Sequence, residues 1–175
     1  YEIPKRDWSS DVCSSDLLLA IREWIRVVKD EGHLLLIIPH RDGTFDHKRP
    51  ITSFAHLLHD EKNGQGENDT THLSEILQLH DLGRDPLAGN FIEFKKRSEL
   101  NYMNRTLHHH VFDTKLVIQM LDYFPLQILF VEFFLPYHIV VLVKKVCSSS
   151  EKDNHNFLKT NASFTLLSPF YSDKN

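Results

Sequence analysis

The chain has 175 residues, 41% hydrophobic and 25% charged, a balance ordinary for one soluble globular domain with a modest core. Its formal net charge of -4 and pI of about 6.3 leave no overall basic footprint for nucleic acid. The two cysteines, Cys13 and Cys147, stand near opposite ends without CxxC or Cys/His spacing, which argues against a disulfide framework and fits a reducing, cytoplasmic setting.

The first residues lack the positive flank and apolar core of a secretory signal. Residues 7–17 read DWSSDVCSSDL, a string that resembles the conceptual translation of a sequencing adapter. Residues 1–17 are therefore expected to be non-native. From residue 18, Leu18, Ile21, Trp24, Ile25 and Val28 recur at helical spacing, with Arg22, Glu23, Arg26 and Lys29 opposite. Gly32 is expected to close this helix in the left-handed conformation. The apolar run 34–38, ended by Pro39, predicts a strand buried on both faces, as in an α/β sheet.

From residue 40 to 110 the chain is polar and histidine-rich, and reads as an insertion. Short helices are expected around Phe54, Leu57 and Leu58, around Leu73, Ile76 and Leu77, and over about 91–103. Loops are expected at 63–69 and 83–90. Asp113 reads as the N-cap of an amphipathic helix carrying Leu116, Val117, Met120, Leu121 and Phe124, which stops before Pro125. Strands over 128–134 and 139–143 flank a turn at Leu135-Pro136-Tyr137. This is the most apolar region, but Gln127, Glu132, Pro136 and His138 argue against a membrane span. Residues 147–175, rich in Ser, Asn and Lys, read as a disordered tail behind a body covering 18–146. The short final connection permits a hairpin, and the long crossover permits the first two strands to be parallel with the third between them.

Trp24 to Pro39 (WIRVVKDEGHLLLIIP) resembles the helix-turn-strand segment W-RVLKPGG-L-L-VP of class I S-adenosylmethionine-dependent methyltransferases, with Asp30-Glu31-Gly32 replacing the usual Pro-Gly-Gly. Arg41-Asp42-Gly43-Thr44-Phe45-Asp46 with Arg49-Pro50 resembles a P-(D/H)-(K/R)-x-x-T-F-D-x-x-R-P signature of a type 11-like subgroup. His108-His109-His110-Val111-Phe112-Asp113 resembles its H-x-H-x-F segment, and Pro136-Tyr137-His138-Ile139-Val140-Val141 its last hairpin. The resemblance spans about residues 18–145. It implies an α/β fold: the C-terminal part of a Rossmann-like methyltransferase sheet, two parallel strands with an antiparallel last strand between them, plus a helical insertion.

It also implies S-adenosylmethionine as cofactor of the intact parent protein. In this family a glycine-rich loop and an acidic residue in the first half of the sheet hold it, and neither is present here. The only G-x-G, Gly64-Gln65-Gly66, sits in a polar loop without a strand before it. The expectation is a fragment carrying the acceptor side, with no cofactor site of its own and no activity alone. The parent's substrate would be a small-molecule or glycan-type methyl acceptor.

Asp42, Thr44, Phe45, Asp46 and Arg49 follow the first strand, at the carboxyl end where α/β folds bind ligands, and are the expected acceptor pocket. The alternative is a structural loop whose Asp and Arg pair. His72 is a further substrate-side candidate, set against a solvated helix face. One of His108, His109 and His110 is the candidate general base. Three adjacent residues cannot all face one point. The twelve histidines include the pairs His56/His59 and His72/His80, but no H-E-x-x-H arrangement, and no metal ligand is assigned. Two other readings stand beside this one: a metal-dependent hydrolase built on the His-rich insertion, and a non-catalytic binding module.

Overall fold

The computed structural model describes residues 17–65, 69–148 and 152–174. The adapter-like string therefore lies outside the described residues except for Leu17, which is buried in the first turn of helix α1 (Leu17–Val27). Leu18, Ile21 and Ile25 share its buried face, as the spacing requires, while Arg22 and Arg26 turn outward to Glu61 and Glu23.

The turn after α1 departs from expectation. The left-handed residue is Glu31, with φ 62°, and not Gly32. Gly32 is needed for a different reason: a Cβ there would lie 2.6 Å from Val28 Cγ1 and 2.7 Å from the Lys29 carbonyl oxygen. The Glu31 N–H donates to the Lys145 carbonyl, and the Lys144 ammonium pairs with the Glu31 carboxylate at 2.8 Å, which ties the turn to the sheet.

Three strands follow, β1 (His33–Pro39), β2 (Leu126–Phe134) and β3 (His138–Lys145). The sheet order is β1-β3-β2, with β3 antiparallel to both neighbours, so β1 and β2 run in the same direction. A bulge between Ile128 and Phe130 shifts the register of β2. Leu36 and Ile38 of β1, Ile139, Val141 and Val143 of β3, and Leu126 and Ile128 of β2 form one core with α1 and with α6 (Thr114–Asp122). Asp113 caps α6 by accepting the Leu116 N–H at 2.7 Å.

β1 is covered on one face only. Leu36 and Ile38 are buried, but Leu35 and Ile37 are 59% and 53% exposed, against the expectation of burial on both faces. A continuous apolar run does not itself supply a second layer.

The insertion holds α2 (Phe54–Asn63), α3 (Leu73–Leu79), α4 (Phe91–Glu99) and α5 (Asn101–Asn104). Ile76, Ala88, Phe94 and Leu107 make its own small core. The single helix expected over 91–103 is broken at Leu100, which is non-helical between α4 and α5. Gly64 ends α2 in the left-handed conformation, so the first glycine of the G-x-G is a helix cap; Gly66 lies outside the described residues. Among the described residues, no helix is long and apolar enough to cross a membrane.

The disordered tail expected from residue 147 is corrected by the fold. Residues 152–174 carry α7 (His155–Leu158), α8 (Ser163–Leu167) and a 3-10 turn at Ser172–Lys174. Phe164 and Ala162 join the main core. Asn154 is buried against β2: its Oδ1 accepts the Ile128 N–H at 2.8 Å, and its Nδ2 donates to the Leu126 carbonyl and to Asp122. The Lys152 ammonium donates to the carbonyls of Asp122 and Phe124 at the end of α6. Polar composition was misleading because these side chains satisfy backbone groups that would otherwise be orphaned. Replacing Asn154 with alanine should cost about 1–3 kcal/mol in urea unfolding, since it strips a buried N–H and a buried carbonyl of partners.

Candidate functional site

An open groove of about 970 Å³ runs along the outer side of β1 and past its carboxyl end. Trp24, Leu35 and Ile37 form its apolar wall, and Thr44, Phe45 and His108 stand at the far end. Two of the five expected pocket residues, Thr44 and Phe45, therefore face it. Thr44 also shapes the turn, with its hydroxyl donating to the Arg41 carbonyl and accepting the Asp46 N–H. The ring of Phe45 stacks on His80 at 4.3 Å and lies against His108 at 4.7 Å.

The other three serve the architecture around the groove. Asp42 accepts from the Ser172 N–H and hydroxyl, which anchors the chain's last described turn. Arg49 is 1% exposed and is the hub of the loop. It bonds Asp46 at 3.0 Å, Glu75 at 2.8 Å, and the carbonyls of His108 and His109 at 2.7 and 3.2 Å. The Asp–Arg pairing foreseen as the alternative is present. It also has a second consequence, because Asp46 Oδ2 takes His108 Nδ1 at 2.8 Å. Burial alone would raise the Asp46 pKa, but His108 and Arg49 together hold it below the ordinary carboxylate value.

The three consecutive histidines diverge. His108 reaches the groove and Asp46. Its Nδ1 donates to a carboxylate, which leaves the lone pair on Nε2, the tautomer needed to accept a proton. His109 is buried, its Nε2 set 3.0 Å from the Asn101 side chain, and desolvation pushes its pKa down to about 4. So low a pKa makes it a weak proton acceptor, and it is not among the residues that line the groove, so its candidacy as base is not favoured.

His110 turns to a different place, where His72 also goes. His56 and Asp60, one turn apart on α2, meet His72 and His110 so that one ligand-type atom from each lies within 4.8 Å of all the others. His56 Nε2 stands 2.9 Å from His72 Nε2 and 3.2 Å from Asp60 Oδ2, and His110 Nε2 stands 3.7 Å from that same oxygen. Burial is the main reason that the Asp60 pKa is raised and the His72 pKa lowered, so both groups are drawn toward their neutral forms. His72 therefore belongs to this cluster and does not line the groove. His56 and Asp60 had not been singled out as a pair, although their i,i+4 spacing on a helix places them on one face.

No protein-family model, curated protein or solved structure matches the chain.

Proposed function

We propose that the chain is the acceptor-side part of an S-adenosylmethionine-dependent methyltransferase domain, and that the end of the groove at Thr44, Phe45 and His108, past the carboxyl end of β1, receives the methyl acceptor. The observation that carries this reading is the strand order, in which β3 runs antiparallel between two strands of common direction. The exposed Leu35 and Ile37 support it, because an apolar face and outer edge of this kind suit a further strand and a covering layer. A reducing, cytoplasmic setting goes with it, since neither cysteine stands in a CxxC or Cys/His spacing.

In this reading, S-adenosylmethionine supplies the methyl group and is held by a glycine-rich loop and an acidic residue on preceding strands. The residues described here orient a small-molecule or glycan-type acceptor and take its proton. His108 Nε2 is the proton acceptor, Asp46 fixes its tautomer, and Arg49 fixes Asp46. Phe45 holds the imidazole plane by contact with its ring.

Two measurements test the reading. Calorimetry on the 175-residue chain should give no saturable binding of S-adenosylmethionine; micromolar binding by this chain alone would overturn it. Sequencing the source locus across the codons for residues 6–18 should reveal an upstream strand and glycine-rich loop. A rebuilt protein should then bind the cofactor and methylate an acceptor, with His108→Ala lowering kcat by about 100- to 10,000-fold. A locus without such a segment would sink the proposal.

A further inference from the structure

We infer that His56, Asp60, His72 and His110 form a binding site for one divalent transition-metal ion of the zinc type, which clasps the insertion together. This inference is independent of the methyltransferase reading.

The four side chains come from three stretches of chain: α2, the residue preceding α3, and the extended segment leading to α6. Their ring planes are set apart and not stacked. His56 and His72 are nearly perpendicular at 89°, and His110 is inclined at 73° to His56 and 72° to His72, with centroids 4.9–6.0 Å apart. Three imidazole edges thus converge on a common point beside one carboxylate oxygen. Ligands bound at about 2.0–2.2 Å around a tetrahedral ion stand about 3.3–3.6 Å from one another. Three of the six spacings, 2.9, 3.2 and 3.7 Å, bracket that value, and all six lie within 4.8 Å.

Hydrogen bonding within the cluster is the competing account, and it leaves a remainder. Asp60 Oδ2 is buried and accepts no hydrogen bond, although His56 and His110 nitrogens stand close to it. The Asp60 side chain is only 4% exposed. A buried carboxylate oxygen without a donor is unfavourable unless a cation takes the donor's place. Three nitrogens and one oxygen suit zinc and its neighbours, and suit calcium and magnesium poorly because those ions take all-oxygen shells.

Four protein ligands close the coordination sphere, which marks a structural role. The insertion has reason to need one. Its own core consists of Ile76, Ala88, Phe94 and Leu107, and the ion would tie α2 and the start of α3 to the segment that feeds α6. His56 remains about one-third exposed, which gives the ion a way in.

The test uses the full chain, stripped with chelator and titrated with Zn²⁺ and with Co²⁺. One equivalent should bind, raise Tm by several degrees, and with cobalt give the intense visible bands of a four-coordinate ion. His56→Gln and His72→Gln, both at partly exposed positions, should each weaken zinc binding by about 100-fold or more while the stripped variants keep the stripped wild-type Tm. His33→Gln and His155→Gln, at exposed positions outside the cluster, should bind as wild type does. The inference is overturned by any one of three results: no stoichiometric uptake, a six-coordinate cobalt spectrum, or cluster variants that bind zinc as tightly as wild type.

Discussion

Arg49→Met is expected to destabilise the protein by about 3–5 kcal/mol, the cost typical of removing one partner from a buried ion pair. The guanidinium is almost wholly enclosed, and its bonds are spread over Asp46, Glu75 and the carbonyls of His108 and His109. Methionine fills most of the volume but donates nothing, so Asp46 and two peptide carbonyls lose a partner together. Arg49→Lys should recover only part of the loss, because one ammonium cannot span the directions that a planar fork serves. Urea unfolding decides it. A midpoint within error of wild type for the methionine variant would mean that the hub is not holding the loop. Arg49 also sets the position of Asp46, so under the proposed function the lysine variant should shift the pH profile of a rebuilt enzyme as well as its stability.

The second large effect lies at the other end of the chain. Asp173→Ala should cost about 3 kcal/mol, because a buried carboxylate with several donors is replaced by donors without an acceptor. Asp173 accepts from the Thr114 N–H and hydroxyl, the Ser168 hydroxyl and His40 Nε2. His40 Nδ1 accepts the Asp42 N–H, so its proton sits on Nε2 and points at the carboxylate. Burial would raise the Asp173 pKa, but the bonds from His40, Ser168 and Thr114 outweigh it and leave it below the ordinary value. A carboxylate with a depressed folded pKa stabilises the fold above its unfolded value of about 3.9, and that contribution is lost as pH falls through the folded pKa. Wild type should therefore lose stability on acidification below about pH 4, and Asp173→Asn, already destabilised at neutral pH, should show a shallower acid decline. An identical decline in both would remove Asp173 from the account.

Periodicity carried much of the fold. The buried face of α1, the amphipathic α6 with its Asp113 cap, and the hairpin around Leu135-Pro136-Tyr137 could all be read because apolar spacing and a breaker coincide there. Other features depend on what covers an element. Leu35 and Ile37 look like core residues in a list of letters, and only the missing layer over them shows that they line a groove. The tail was missed for a related reason: Asn154 and Asp173 hold their segment by bonding to distant backbone and side-chain groups, which composition counts as solubility. The site was legible in the same uneven way. Phe45 and His108 meet at the groove, whereas His72 and His110 converge with α2 across 16 and more residues, a tertiary fact that spacing cannot supply. His56 and Asp60 were the one local signal of that convergence.

The contact between His40 and Asp173 joins residues 133 positions apart. It sits where the first strand gives way to the loop that carries Thr44, Phe45 and Arg49. During synthesis, that loop emerges 133 residues ahead of its partner Asp173. The loop cannot therefore reach its final form in the interval before Asp173 has been made. Yield in a cell should depend on chaperone supply during that interval more than on the stability of the finished protein.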